Sequence, residues 1–443
     1  MPGDALTQSM AFDPADARAA LVALPQSAAV FALYGADAHA EPYIGRTPNL
    51  RARLERLLQP SPKHPRRLQL AGRVRRIAFR LTGSDFESLL LQFELLEKIY
   101  GPKSLFRMHL GAPAFIRYLG SNAYPRIVVT HRPSQREADW AYGPFPSRAA
   151  AERFADEALK LFLLRRCTDD LDPNPAHPGC VYSEIKMCLA PCYQGCTDER
   201  YGEEAAAVEQ FLATRGESRL VTLRAQREQA SAELAFESAA ALHALVQRVE
   251  AVRALAPELV RPLSRLHAVI LQASPSPGEV AVFLYEGGRL RGPVAFSTLG
   301  MRIQNEQSGS SSLFPQPVAI EPLPETAGGR VQGSGFRTDS TEAERTPEAQ
   351  SGEGAAEPAK LPRGLLEARM EAALAELAEP SANPSPTLRQ GHLALLKRWY
   401  YRPEVRRSGE IFFPDGEGRW PVKAMLRGVG RVAAKMLTAA PQA

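Results

Sequence analysis

The chain has 443 residues, and its 54 Lys and Arg against 49 Asp and Glu leave a net charge of +5 at pH 7. That length suits about two or three domains, and a hydrophobic fraction of 44% is that of ordinary globular protein. No apolar run reaches the roughly 18 residues needed to span a bilayer. The N-terminus carries Asp4, Asp13 and Asp16 without a basic head, so neither membrane insertion nor a secretory signal is expected and the expected location is cytoplasmic.

Taken in chain order, residues 1–26 read as a loose tail with one short helix, and residues 27–112 as a small α/β unit. In that unit "AVFALYG" reads as a buried strand and "PYIG" as a second one ending at Gly45. "TPNLRARLERLLQ" reads as a helix with Thr47 at the N-cap and Pro48 at the first helical position. Its apolar stripe is Leu50, Leu54, Leu57 and Leu58. "VRRIAFRLTG" is a third strand, and "SDFESLLLQFELLEKIYGP" a second helix, with Ser84 and Glu87 as a capping box and Gly101-Pro102 as its stop.

Residues 113–200 hold the strand "YPRIVVTHR", a turn at "YGPFPS", a helix from about Arg148 to Leu164 and all five cysteines. Residues 201–256 read as two polar helices, about 201–214 and 219–254, and residues 262–302 as a β-meander. Residues 303–362 are rich in Gly, Ser, Pro, Glu and Gln with no apolar period, the composition of a disordered linker. The block at 363–443 is helical and basic, and the expected fold class is α/β in the broad sense, α+β more strictly.

The charge is unevenly spread. From Arg46 to Arg80 there are eleven basic residues and one acid, Glu55; from Arg389 to Lys435 there are eleven basic residues and four acids. Such blocks suit either a polyanion partner or a solvated basic surface. Within the second block, Trp399, Tyr400 and Tyr401 stand among Lys397, Arg398 and Arg402. They suit either stacking on nucleic acid or anchoring a small helical core, and the core reading is preferred.

Cys167, Cys180, Cys188, Cys192 and Cys196 lie within 30 residues, spaced C-x12-C-x7-C-x3-C-x3-C. Clustered thiols in a protein expected to be cytoplasmic point to metal rather than disulfides. Zinc and an iron–sulfur cluster both take thiolate ligands, and the spacing leaves the choice open.

Several of these segments resemble UvrC, the nuclease subunit of bacterial nucleotide excision repair, which begins with a GIY-YIG nuclease domain. "ALYGADAHAEPYIGRTPNLRARL" is similar to the paired GIY and YIG strands with their following helix, and "YGPFPS" to the family's aromatic-Gly-Pro-aromatic turn. "LFLLRRC" and "PGCVYSEIKMCLAPC" resemble its cysteine segment, and "AELAFESAAALHALVQRVEAV" the UVR helical hairpin that docks on UvrB. The resemblance runs from about 28 to 300. It implies a metal-dependent, structure-specific DNA endonuclease making a single incision, with DNA and a UvrB-like helicase subunit as partners.

The resemblance assigns Cys167, Cys180, Cys188 and Cys192 as ligands of an iron–sulfur cluster, zinc being the alternative, and leaves Cys196 spare. Tyr34 stands at the GIY tyrosine, Tyr43 at the YIG tyrosine, Arg46 in place of the usual Lys, and Arg53 at the helix arginine. Arg51, Arg56, Arg66 and Arg67 are the expected nucleic-acid contacts, and Leu234 and Phe236 the expected partner contacts. Phosphodiester hydrolysis needs an activated water, a Lewis acid such as Mg or Mn, and positive charge on the phosphate.

The departures bear on catalysis. Gln92 falls where the family's metal-binding Glu belongs, and an amide brings no negative charge to a Mg²⁺ site. Its helical neighbours Ser88, Leu89, Leu95 and Leu96 are not acidic. Glu94, the possible substitute, is about 200° around the helix. Leu57 replaces a family tyrosine, and the asparagine expected after the helix is missing from "KIYGPKSLF". The acids of the family's second, ribonuclease H-like nuclease are also missing: after Asp339 the only Asp is Asp415. An alternative role is therefore an impaired DNA-binding and UvrB-binding adaptor.

Overall fold

The computed structural model describes residues 5–37, 39–59, 70, 72–133, 135–168, 171–301, 362–378 and 384–439. Three four-stranded antiparallel sheets organise them. The expected linker at 303–362 falls almost wholly outside the described residues.

The first sheet is built from β1 (Gln8–Ala11), β2 (Ala29–Tyr34), β3 (Tyr43–Thr47) and β4 (Arg76–Leu81), with helices α1 (Ala17–Val22), α2 (Leu50–Leu58), α3 (Asp85–Tyr100) and α4 (Lys103–Arg107). Its order is β1-β4-β2-β3. β1 lies in the segment read as a loose tail; it pairs with β4 from Gln8 opposite Phe79 to Ala11 opposite Arg76. The period-2 alternation of β2 sends Phe31 and Leu33 to Leu50, Leu54, Leu57 and Leu58 of α2, and Val30 and Ala32 to Leu91 and Leu95 of α3.

The start of α2 differs from expectation. Thr47 is still paired in β3, opposite Ala29, so the cap passes to Asn49, whose side chain accepts the Ala52 N–H at 2.9 Å. α3 begins as expected at Ser84, whose hydroxyl accepts the Glu87 N–H, but the Glu87 carboxylate takes the N–H of Gly83 rather than that of Ser84. Gly101 closes α3 with φ +52, a conformation that suits glycine.

The second sheet, order β6-β5-β7-β8, contains β5 (Ala114–Tyr118), β6 (Ile127–Thr130), β7 (Ala141–Phe145) and β8 (Arg261–Pro262). The expected turn at "YGPFPS" is β7 itself: a shift of register between Ala114 and Ile116 lets the strand carry Pro144. Helices α5 (Arg148–Leu159), α6 (Val181–Glu184), α7 (Asp198–Ala213), α8 (Glu217–Ala232) and α9 (Phe236–Ala254) follow. α5 stops five residues before the expected Leu164, which instead leaves the helix to be buried in the core. The single helix expected over 219–254 is the hairpin α8–α9, turned at Leu234 with φ +58. No Gly or Pro marks that turn, so it carries no local punctuation.

The third sheet is the expected meander, β9 (Ala268–Ala273), β10 (Glu279–Glu286) and β11 (Arg289–Ser297), followed by α10 (Arg363–Ala378), α11 (Pro386–Tyr400), β12 (Glu410–Phe412) and α12 (Val422–Ala439). β12 adds itself to the free edge of β9, Phe412 opposite Val269. One face of this sheet is covered by Met370, Leu374, Met425 and Val429 of α10 and α12. The other face, with Ile270 and Phe283, meets Leu393, Leu396 and Trp399 of α11 and the far side of α3 through Phe86, Leu89, Leu90 and Phe93. α3 is thus shared between the first and third sheets.

Candidate nuclease-like face and cysteine cluster

The strand register divides the expected catalytic residues between two faces of the first sheet. Tyr43 and Arg53 lie on the α2 side, where the Arg53 Nη2 donates to the Tyr43 hydroxyl at 3.3 Å. Gly45 leaves room for this packing, since a Cβ there would sit 2.7 Å from the Phe31 ring. Tyr34 packs on the α3 side with Ile44, and the Arg76 guanidinium lies 3.8 Å over its ring. Arg46, opposite Val30, also faces α3, where its guanidinium pairs with Asp85. Tyr43 and Arg53 are brought together; Tyr34 and Arg46 share the opposite face.

Gln92 is half-buried on α3, and helical spacing sets it about 200° around from Glu94. Every acid of this helix has a partner elsewhere. Asp85 binds Arg46 and also Arg402, the latter at 2.7 Å. Glu87 is buried; it accepts the Gly83 N–H and lies 3.8 Å from Arg80, and burial pushes its carboxyl above the usual range despite both. Glu97 accepts from the Ser385 hydroxyl at 2.9 Å. Glu94 faces the buried His392 of α11, 3.6 Å from Nε2. The Nδ1 of that imidazole accepts the Leu290 N–H, while its buried Nε2 makes no hydrogen bond among the described residues, Glu94 lying just beyond reach. Glu94 therefore points to the α3–α11 seam rather than to the flank of Gln92.

The expected nucleic-acid arginines are partly engaged with the backbone. Arg51 Nε donates to the Leu24 carbonyl at 2.7 Å and Arg56 Nε to the Ala52 carbonyl at 3.2 Å. Arg66 and Arg67 lie outside the described residues. In the C-terminal block Trp399 is buried and donates to the Ser408 carbonyl, while Tyr401 donates to the Pro144 carbonyl at 2.8 Å. These aromatics are core anchors, the preferred of the two readings.

The cysteine segment is a series of short turns. Cys180 precedes α6, where its N–H is held by the Ser183 hydroxyl at 2.9 Å. Cys192 sits in a tight turn bracketed by Ala190 and Gln194, both at positive φ. All five thiols are free. Burial pushes the Cys188 thiol up to about 11, and the nearby sulfurs of Cys167, Cys180 and Cys192 add to the shift. Cys196 is raised chiefly by burial and then by Asp198, and responds to none of the other thiols. The Ala190 N–H donates to Cys188 Sγ at 3.3 Å, and Arg165 Nη1 to Cys167 Sγ at 3.6 Å. N–H donors to sulfur and four soft thiols are the chemistry that a thiolate-bound metal group would use. Among the described residues, no three His, Cys, Asp or Glu side chains are already gathered closely enough to hold a metal ion.

At the turn of the α8–α9 hairpin, Leu234 is 70% exposed and Phe236 68% exposed, so neither forms the hairpin core. Among the described residues, no helix is long and apolar enough to cross a membrane. Sequence reasoning missed Asp85 and His392, and named Arg402 only within an aromatic and basic block, without its partner. An acid at a helix start is ordinary, and nothing local to "YYRPEV" or "QGHLAL" gives its address in space.

The profile of the UvrC/Cho excinuclease middle domain matches residues 115–211. The UvrABC system protein C of Alcanivorax borkumensis is 31% identical over 211 residues, covering 48% of this chain and 34% of that protein. Its counterpart in Aromatoleum aromaticum is 31% identical over 243 residues, 54% of this chain and 39% of the relative. That of Ectopseudomonas mendocina is 29% identical over 297 residues, 66% and 44%. The chain thus spans less than half the length of these relatives, and no solved structure matches it. With the UvrC/Cho middle-domain profile matched over β5–β7 and the cysteine segment, and a strand pair similar to GIY-YIG ahead of it, the chain is similar to UvrC across these segments.

Proposed function

We propose that the chain serves a nucleotide excision repair complex as a UvrC-like subunit that holds DNA on the first sheet and docks a UvrB-like helicase subunit at Leu234 and Phe236. It descends from a metal-dependent endonuclease making a single incision, and its own cutting is impaired. The observation that carries this reading is the distribution of carboxylates on α3: Asp85, Glu87, Glu94 and Glu97 all have partners, and none stands beside Gln92. Mg or Mn bound there would polarise the phosphate and activate water; Arg46, on the α3 face with Tyr34, would steady the phosphate charge, whereas Arg53 and Tyr43 lie on the opposite face of the sheet. A site offering an amide in place of the carboxylate holds such an ion weakly.

The Cys167, Cys180, Cys188 and Cys192 set supports an iron–sulfur cluster, with zinc as the alternative, and this group would tie α6 and the turn at Cys192 to the end of the α5 segment. A second reading, an active single-cut endonuclease, is favoured by the Tyr43–Arg53 hydrogen bond, half of the catalytic pattern intact. Purified protein with Mg or Mn on a damaged duplex, with and without a UvrB-like subunit, separates the two. Binding without nicking supports the impaired subunit; metal-dependent nicking by the wild type supports the second reading.

A further inference from the structure

We infer that Asp85 is a built-in stand-in for a nucleic-acid phosphate, and that Arg46 and Arg402 are the phosphate-binding pair it occupies. This rests on the DNA-binding reading above and names a contact within it. Asp85 is the first residue of α3, and its two carboxylate oxygens take one guanidinium each: Oδ1 meets Arg46 from β3, and Oδ2 meets Arg402, just beyond α11, at 2.7 Å. A phosphodiester presents the same pattern, two non-bridging oxygens sharing one negative charge, and two arginines can meet it one oxygen each, as they meet Asp85.

The two arginines do not depend on Asp85 for their placement. The backbone of Arg46 is paired in the ladder opposite Val30. The Arg402 N–H bonds the Trp399 carbonyl, and its neighbours are anchored by the buried Trp399 ring and by the Tyr401–Pro144 hydrogen bond. The trio is also open to exchange, with side-chain exposures of 35% for Arg46, 38% for Asp85 and 26% for Arg402. The contrast is Glu87, two residues along the helix, whose side chain is 3% exposed and tied to the Gly83 N–H. Two guanidiniums against one carboxylate leave a net positive charge for an incoming strand. A displaced Asp85 keeps the favourable field of the helix N-terminus, so its release costs little.

A purely structural ion pair and a phosphate stand-in predict opposite signs. Asp85→Asn preserves shape and leaves the Ser84 cap in place. The full chain is titrated with a fluorescent duplex oligonucleotide over a range of salt, and thermal melting checks each variant. Asp85→Asn is expected to bind about three- to tenfold more tightly at low salt, with a salt slope steeper by about one phosphate contact. Arg402→Ala is expected to weaken binding by a similar factor and to abolish the gain from Asp85→Asn in the double variant. Arg402→Lys, which keeps the charge but not the planar guanidinium, should recover only part of the affinity. Unchanged or weaker binding by a folded Asp85→Asn protein overturns the inference while the wild type's own binding stands. So does Arg402→Ala with wild-type affinity and slope. If neither wild type nor Asp85→Asn binds DNA, the DNA-binding reading itself fails, and the inference with it.

Discussion

Gln92→Glu is the substitution that most directly probes what α3 has lost. The new carboxylate would stand beside Ser88, Leu89, Leu95 and Leu96, all buried, about 200° around the helix from Glu94. Without metal the half-buried, unpaired carboxylate should cost stability, lowering the melting temperature at neutral pH more than at acid pH, where it is protonated. With Mg²⁺ that cost should reverse, since ligand binding to the folded state raises the melting point. Removing a single well-placed electrostatic contribution from an active site commonly costs ~3–4 kcal/mol, or about 10²–10³ in rate. Restoring one should raise metal-dependent nicking by a comparable factor. Supercoiled plasmid relaxation with Mg²⁺, Mn²⁺ and EDTA, with melting measured alongside, tests this. If Mg²⁺ protects Gln92→Glu from melting and nicking does not rise, the carboxylate was not the missing part, and the division of Tyr34 and Arg46 from Tyr43 and Arg53 across the sheet becomes the cause. If the wild type already nicks and Glu94→Gln abolishes it, the reasoning from α3 is refuted outright.

Three further outcomes are expected. Cys188→Ser should lower the metal content and open residues 167–196 to protease, because structural metal binding is folding energy of ~10 kcal/mol or more for zinc, whereas Cys196→Ser should leave metal content unchanged; metal analysis after anaerobic purification and limited proteolysis read both. Phe236→Ala should abolish capture by an immobilised UvrB-like subunit with a melting temperature close to wild type, since the side chain is largely exposed. Glu87 has a folded pKa raised above its unfolded value, so its contribution is present below the unfolded pKa of about 4.5 and lost as pH rises through the folded value; Glu87→Gln, which keeps an acceptor for Gly83, should therefore flatten that fall and melt no lower than wild type at pH 7.

What was legible in the sequence was local. The Leu50, Leu54, Leu57 and Leu58 stripe and the Ser84 cap specify their helices through contacts within a few residues, and both are where the pattern put them. The β9–β11 meander is equally local, its turns carried by short links such as Gly287 and Gly288 at positive φ. Asn49 displaced Thr47 as the cap because strand pairing with Ala29 claimed Thr47 first, a tertiary contact that no local signal encodes. The α8–α9 turn was hidden because Leu234 adopts a backbone conformation that its residue type does not announce. At the candidate site, the tyrosines and arginines could be named from their motif, and the absence of an acid beside Gln92 from helical spacing. The pairing of Asp85 with Arg402 could not be, because it joins residues more than three hundred positions apart.

The shared helix α3 has a consequence for synthesis on the ribosome. Its sheet-facing side can be covered once β4 has emerged, but Phe86, Leu89, Leu90 and Phe93 wait for β9, β10 and α11. The free edge of β9 waits longer still, for Phe412 to pair with Val269. At about 5–20 residues per second, that strand trails β9 by roughly 7–30 s of translation. Through that interval the nascent chain carries an uncovered apolar helix face and an open strand edge, the two features that recruit chaperones and seed aggregation. Fragments ending before α11 should inherit the same exposure permanently, which makes the unit around the first sheet a poor candidate for excision as a free-standing domain.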